Sequence, residues 1–379
     1  MIIIWRYLLT QYIKVLSLSL VAFIAVLLTT RLDDIAHFAS LGAQGFYVLQ
    51  FTMLQIPYIL PIAIPVSALI SSLLLIQRLS SSHELTALRA SGLSITTILA
   101  PILIFASYLS VLNFYIVSEV ATESHLATNI LRSELRQVNP LLVLHNKHMM
   151  RLKGIYFDSL GESKMGESAC DVLLASPGKG ENHINLMIAK NLHSSESDFS
   201  GTSVTCISSI RTDSEKRFDH LMIENMGKSV TSIRDFSQML QKKIININND
   251  HLKLGLLLVR LGDEKEKLLR PSTLSDESKT IKRNINRGYT EIIRRISIAL
   301  AVFTFTLMGL SFGASISRHQ SSSGVIYLIA LAALYLACFF VAKSIEYQFT
   351  ASLILYLLPH VLIIFFSIFN LRRLSKGIE

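Results

Sequence analysis

Six long apolar segments limit the folds open to this chain more than any other feature of its sequence. A helix needs about 20 residues to cross a hydrocarbon layer about 30 Å thick. The chain is 51% hydrophobic and 17% charged, with a mean hydropathy of +0.46, so one globular core cannot hide its apolar surface. We therefore predict an α-helical membrane protein with six transmembrane helices, at about 13–30, 48–76, 94–117, 292–315, 324–341 and 349–369.

A polar insert separates the first three predicted spans from the last three. It contains short β-like runs between glycine and proline residues, which predict an antiparallel β-domain. These runs lie at 149–158, 170–175, 184–190, 202–210 and 220–224. We expect a helix at 119–137 that continues the third span, and a charged linker at 276–287. The predicted domains are a membrane half at 1–118, a β-rich insert with flanking linkers at 119–287, and a second membrane half at 288–379.

Basic residues in the short loops predict the orientation of the chain, because cytoplasmic loops carry an excess of lysine and arginine. With the N-terminus inside, the cytoplasmic flanks carry eight basic residues and the short outer loops carry two. The inner set is Arg6, Lys14, Arg78, Arg89, Arg318, Arg372, Arg373 and Lys376, and the outer set is Arg31 and Lys343. We expect both termini in the cytoplasm and the insert outside.

The sequence carries no recognisable catalytic or cofactor site, and we expect no cofactor and no metal. His83-Glu84 begins like a zinc-protease motif, but Ala87 stands where the second histidine belongs. Residues 161–168 have the spacing of a phosphate-binding loop, but Glu167 replaces its lysine. The net charge of +9 is not arranged as a nucleic-acid patch. No nucleophile–base pair stands out, which disfavours a membrane hydrolase.

Two features of the sequence leave alternatives open. Cys170 and Cys206 both lie in the insert, where they could form a disulfide or remain reduced thiols. Pro57, Pro61 and Pro65 recur every four residues along the second span. They predict either a bent helix whose freed backbone groups are satisfied by its neighbours, or a flexible wall of a translocation path.

The loop between the second and third spans, RLSSSHELTALRASGLS at 78–94, predicts a short helix. Ser81 or Ser82 can cap it, and Glu84 falls in its first turn, where the helix dipole stabilises an acid. Gly92 can end it. Such a helix on the cytoplasmic side fits either a partner's groove or a simple interfacial turn.

This loop, the preceding LPIAIPVSALISSLLLIQ and the start MIIIWRYLL resemble the lipopolysaccharide-export permeases of the LptF/LptG (YjgP/YjgQ) family. The resemblance implies a permease subunit of an ABC transporter in the bacterial inner membrane, with a periplasmic insert that is a β-jellyroll. It implies four kinds of partner: a sister permease, a cytoplasmic LptB-like ATPase dimer, periplasmic LptC/LptA-like bridge proteins and lipopolysaccharide. It also implies that Glu84 contacts an arginine of the ATPase, and that Arg89 and Gly92 belong to the same coupling helix, at about 80–92.

The resemblance further implies basic residues that meet lipid A phosphates at the outer ends of the spans. Arg31 is one candidate, although an ordinary helix-end role fits it equally and the neighbouring Asp33 and Asp34 would weaken its field. The other candidates are Arg287, Arg294 and Arg295. The last two can instead pair with Glu291, which lies three and four residues before them.

A second function from another class fits the same topology. The chain could be a non-transporting membrane protein whose periplasmic domain acts as a sensor or as a partner-binding module. Such a protein would need neither a coupling helix nor an ATPase. The loop at 78–94 therefore distinguishes the two hypotheses.

Overall fold

The computed structural model describes residues 2–39, 45–138, 150–152, 155–161, 168–177, 184–194, 198–210, 220–232, 248–269, 275–314 and 323–375. The helices before the sheet are α1 (Ile2–Thr29), α2 (Leu32–Ala39), α3 (Gly45–Ser81), α4 (Glu84–Ala90), α5 (Ile95–Tyr115) and, after one π-helical turn (Ile116–Val120), α6 (Ala121–Val138). Those after it are a 3₁₀ turn (Asn249–His251), α7 (Leu254–Leu269), α8 (Ser275–Gly313), α9 (Ser323–Ser344) and α10 (Phe349–Ser375).

The chain forms two compact units. The first contains Met1–Leu32, Met53–Ala127 and Ile247–Glu379, and the second contains Asp33–Thr52 and Thr128–Asn246. The predicted domain limits at 118 and 287 mark where the chain would leave and re-enter the membrane, and they stay a prediction.

Six helices among the described residues are long and apolar enough to cross a membrane, which confirms a helical membrane protein. They are Ile2–Thr29, Gly45–Ser81, Ile95–Arg132, Ser278–Gly313, Gly324–Ser344 and Phe349–Ser375. The expected charged linker at 276–287 is helical, because α8 begins at Ser275. Ile285 is buried there, so an apolar residue among the charges gives this segment a packing face.

The α8 helix lies at the centre of the first unit, and 78% of its most apolar 18-residue stretch is buried. It packs closely against α3 where Gly309 and Gly313 face that helix. A Cβ on Gly309 would lie 2.7 Å from the carbonyl oxygen of Leu69 and still closer to the Ser72 hydroxyl. Small residues allow two backbones in a membrane to approach in this way.

The three prolines lie inside α3, which runs unbroken from Gly45 to Ser81. Pro65 has no N–H to give to the carbonyl of Pro61, four residues earlier. The buried Asn113 of α5 donates its Nδ2 to that carbonyl at 3.4 Å, and also to Ile298 of α8 at 3.3 Å. A neighbouring helix thus satisfies the freed group, which is the first of the two interpretations of the proline series.

The second unit contains one antiparallel sheet of six described strands, paired in chain order. They are β1 (Met150–Leu152), β2 (Ile155–Ser159), β3 (Ser168–Pro177), β4 (Ile184–Ser194), β5 (Asp198–Ile210) and β6 (His220–Ser232). The run at 149–158 proves to hold two strands, and the other four runs each coincide with one. Ala169, Val172, Ala189, Leu192 and Val204 form its apolar core. The β-jellyroll form stays a prediction.

Both cysteines of the sheet are free thiols. Cys170 pairs across from Asn191 of β4, whereas Cys206 pairs across from Met187 on the other side of the same strand. The two are therefore two strands apart and offset by four residues, or about 13 Å along the strand. Disulfides need Cα atoms within about 7 Å, so the geometry excludes this bond.

Candidate functional site

The α4 helix lies between α3 and α5, and its two ends are set by backbone conformation. His83 precedes it at φ 60°, and no side chain caps its first turn. The expected cap by Ser81 or Ser82 is wrong, because both hydroxyls donate to the carbonyl of Arg78.

The other end of α4 is as predicted. Gly92 has φ +87°, in the region that favours glycine. Its N–H donates to Arg89, and the N–H of Leu93 donates to Leu88 at 3.3 Å. These two bonds make a Schellman motif, which stops the helix and turns the chain into α5.

Apolar side chains fix α4 to the first unit. Leu85 is only 2% exposed and lies in the same apolar cluster as Leu79 of α3 and Ile95 of α5. Leu88 and Leu93 pack against that cluster as well. The helix therefore cannot move without moving the ends of its neighbours, since packed cores transmit displacement.

The two charged residues of α4 reach the first and last helices of the unit. The hydroxyl of Tyr7 in α1 donates to Glu84 Oε2 at 3.2 Å. Arg89 donates to the carbonyl of Ser375, at the end of α10, at 3.2 Å. Glu84 remains partly exposed, and Thr86, Ala87 and Ala90 are exposed. Glu84 and Arg89 thus lie on one short helix with an exposed surface, and Gly92 lies just after its end.

The predicted outer arginines do not form one group. Arg31 stands over the ring of Tyr58, with its guanidinium carbon 5.1 Å from the centroid. Arg287 forms an ion pair with Glu346 at 2.8 Å and lies over Tyr347. Glu346 thus offsets part of the charge of Arg287. The role of these arginines in lipid binding stays a prediction.

Arg294 and Arg295 pair with Glu291, as their spacing indicated. Arg294 makes two bonds to the carboxylate, at 2.6 and 2.7 Å, and Arg295 makes one at 2.9 Å. Arg295 is wholly buried and also donates to the carbonyls of Asn249 and Leu252. Its guanidinium thereby holds the 3₁₀ turn against α8. Buried charges need such partners.

The structure also brings together side chains that the sequence analysis did not single out. Ser297 and His360 are both buried, with Oγ and Nε2 3.0 Å apart, and His360 Nδ1 lies 3.1 Å from Thr304 Oγ1. This pair resembles a nucleophile and base, but its burial inside the spans keeps substrate and water away. No spacing signal could reveal it, because the partners are 63 residues apart.

A second group of side chains that the sequence analysis did not single out lies at the 3₁₀ turn. There, His125 of α6 lies close to Asp250 and His251. Beside it, Lys253 Nζ lies 2.9 Å from the Glu123 carboxylate. The hydrogen bond that the Lys253 ammonium donates to the Glu123 carboxylate raises the pKa of Lys253. This exposed pair joins α6 to the segment that precedes α7.

The sequence model for the family described as "Lipopolysaccharide export system permease LptF/LptG" matches residues 6–373. No curated protein matches the chain significantly. The family match covers α4, the six apolar helices and the sheet together. The chain therefore belongs to the LptF/LptG family of lipopolysaccharide export permeases, as a multi-pass inner-membrane component of that system.

Proposed function

We propose that this chain is one permease subunit of an ATP-driven ABC transporter that extracts lipopolysaccharide from the inner membrane. It would pass the lipid to a periplasmic bridge toward the outer membrane. The observation that carries the proposal, beside the family match, is the construction of α4. That helix is fixed by Leu85, contacts α1 and α10 through Glu84 and Arg89, and keeps an exposed surface.

The energy would come from a separate cytoplasmic ATPase dimer, and α4 would be its docking site. Glu84 offers a partly exposed carboxylate that an arginine of the ATPase can meet through two parallel bonds. Gly92 and the Schellman motif fix the angle at which α4 is presented. A sister permease of the same family would complete the lipid cavity.

The proposed topology has three spans on each side of the insert, both termini in the cytoplasm and the insert in the periplasm. The bias of basic residues in the short loops supports it. The tie between Arg89 and the end of α10 supports it as well, because it puts α4 and the C-terminal end of the last span on one side. The sheet, with its predicted jellyroll form, would then receive the lipid outside.

Transport would be mechanical. ATP binding would close the ATPase dimer and displace α4, and the apolar contacts of Leu85 would carry that displacement to α3 and α5. The bonds from Glu84 to Tyr7 and from Arg89 to Ser375 would carry it to α1 and α10. The cavity between the two permeases would shrink and push the lipid toward the sheet.

Lipid phosphates would meet the more accessible of the outer arginines. The Arg287 side chain is 40% exposed despite its pair with Glu346, and Arg31 is partly exposed. Arg294 and Arg295 each use Nε and Nη2 to donate to Glu291 or to backbone carbonyls. We propose that Arg31 and Arg287 contact lipid, and that Arg294 and Arg295 shape the wall behind them.

Replacing Glu84 with alanine tests the proposal. We expect E84A to enter the membrane normally but to lose co-purification of the ATPase in mild detergent. Truncating one member of a buried interfacial charge pair costs about 2 kcal/mol or more, which is enough to lose the complex on a column. Glu224, an exposed acid on β6, provides the control, and E224A should keep the ATPase.

The test has an opposite outcome with a clear meaning. If E84A retains the ATPase as the wild type does, α4 is not its docking site. If the wild-type chain purifies with neither an ATPase nor a second six-span protein, the sensor or partner-binding hypothesis takes its place.

A further inference from the structure

His125 comes together with Asp250 and His251 although it is far from them in the chain. His125 lies on α6, and the other two lie on the 3₁₀ turn before α7. One nitrogen or carboxylate oxygen from each lies within 4.8 Å of the other two. Two imidazoles and one carboxylate are a common ligand set for transition metals in proteins.

The contact between Asp250 and His251 brings two acceptors together. His251 Nδ1 accepts the N–H of Asn248 at 3.1 Å, so this nitrogen has no proton to give. Asp250 Oδ1 lies 3.3 Å from the same nitrogen, and it is buried without a hydrogen-bond partner. This nitrogen has one lone pair, so an ion bound there would take the place of the Asn248 N–H and would also give Asp250 Oδ1 a partner. Neighbouring ligands on a tetrahedral ion with bonds of about 2.0 Å stand about 3.3 Å apart.

His125 supplies the third donor from the opposite side. Its Nδ1 is buried and has no hydrogen-bond partner. Its ring is stacked between Tyr58, at 4.6 Å, and His251, at 4.3 Å. A turn of the ring about χ2 would direct Nδ1 to an ion shared with His251. The ion would give this buried nitrogen the partner that it lacks.

The surrounding charges select the kind of cation. Arg31 and Arg294 repel positive charge at His125, and Glu291 offsets the charge of Arg294 through two bonds. Mg²⁺ and Ca²⁺ bind mainly oxygen ligands and would gain little here against that repulsion. Zn²⁺, Co²⁺ and Ni²⁺ form strong bonds to imidazole nitrogen.

We propose that His125, Asp250 and His251 form a binding site for a divalent transition-metal ion such as Zn²⁺. The ion ties α6, which forms the end of the third apolar helix, to the turn that precedes the last three. Arg295 holds the same turn through the carbonyls of Asn249 and Leu252. A bound ion therefore braces the two halves of the first unit and restrains their relative motion. This site does not depend on the transport function.

The test uses the full chain, purified in detergent and freed of metal. Titration with Co²⁺ should give visible absorption bands of a four- or five-coordinate site at one ion per chain, without the intense near-ultraviolet band of a thiolate ligand. Zn²⁺ should displace the Co²⁺ and raise the unfolding temperature, and Mg²⁺ should do neither. Co²⁺ that keeps the pale spectrum of its six-coordinate hydrate would overturn the proposal without any mutation.

Three variants assign the ligands. H125Q and D250N should each weaken binding by more than about tenfold, since even changes to groups behind a metal ligand cost that much. The exposed His193 of β4 is the control, and H193Q should bind as the wild type does. Equal binding by H125Q and D250N, or an equal loss in H193Q, would place the ion elsewhere. Circular dichroism without metal should show the same helix content in all four proteins.

Discussion

The α4 helix and the Glu291–Arg295 segment of α8 both contain a glutamate and an arginine, but the surroundings of these side chains differ. In α4, Glu84 and Arg89 each make one hydrogen bond to a neighbouring helix and stay partly exposed. In α8, Arg295 is 0% exposed, and Glu291 receives three bonds from two guanidinium groups. A glutamate and an arginine close together on one helix can thus form a surface for a partner or a closed internal cluster.

The cause of the difference is the number of neighbours around each helix. The seven residues of α4 end at Ala90, and only the side of Leu85 meets the core. The 39 residues of α8 include a long stretch that is 78% buried inside the first unit. A charge on α4 keeps water as an alternative partner, whereas a charge in the buried part of α8 must find protein partners.

The largest expected effect concerns the closed cluster. R295M should lower the free energy of unfolding by about 3–5 kcal/mol, because Glu291 loses one of its two partners and two carbonyls lose a donor. Thermal unfolding of the detergent-purified protein measures this. R283M, on an exposed turn of the same helix, should change it by less than about 0.5 kcal/mol. Equal effects would mean that the two positions do not differ as the structure indicates.

The next largest effect is expected from a substitution that disturbs packing without removing a charge. In G309V, the new side chain would meet Leu69 and Ser72 of α3, which must move apart from α8. We expect a loss of about 1–3 kcal/mol in the same unfolding measurement. Gly262 of α7 has open space at its Cβ, so G262A should keep or slightly increase stability. A neutral G309V would show that the close approach of α3 and α8 is not required.

A smaller and local effect is expected at the end of α4. G92A places a Cβ at φ +87°, which costs about 1–2 kcal/mol. Because α4 is short and open, the strain should loosen that helix alone. Hydrogen–deuterium exchange of the 84–93 segment should become faster while exchange in α8 stays unchanged. Unchanged exchange in 84–93 would contradict the role of Gly92 in ending the helix.

The smallest effect concerns a single exposed charge on the sheet. Burial, and then the Glu224 carboxylate on the neighbouring strand, raise the pKa of the Cys206 thiol. A raised thiol pKa favours the neutral form, so the thiolate appears only at higher pH. E224Q should lower this pKa and speed alkylation of Cys206 by iodoacetamide at pH 8. Equally fast alkylation of the wild type and E224Q would show that Glu224 does not affect the pKa of Cys206.

Much of the fold could be predicted from the sequence because long apolar runs and alternating strands are local patterns. The six apolar helices and the sheet were predicted in this way, and Gly92 was placed correctly because a left-handed residue ends a helix locally. The serine cap of α4 was predicted wrongly, since Ser81 and Ser82 have a local alternative partner in Arg78. The linker at 276–287 was misread because its many charges concealed a helical face at Ile285.

The pairing of residues distant in the chain could not be predicted. Nothing in the spacing joins Asn113 to the carbonyl that Pro65 leaves free, or His125 to Asp250 and His251. The same holds for Arg287, whose partner Glu346 lies in the turn between α9 and α10. These contacts depend on how the helices cross.

The sequence by itself determined that this chain is a membrane protein with a β-rich insert and a short helix around Glu84. Hydrophobic length, alternation and glycine conformation act within a few residues, so they can be read in order along the chain. Only the tertiary structure decided which charges remain open and which are closed. Glu84 and Glu291 are the same residue type, and the difference between them lies in the helices that surround each one.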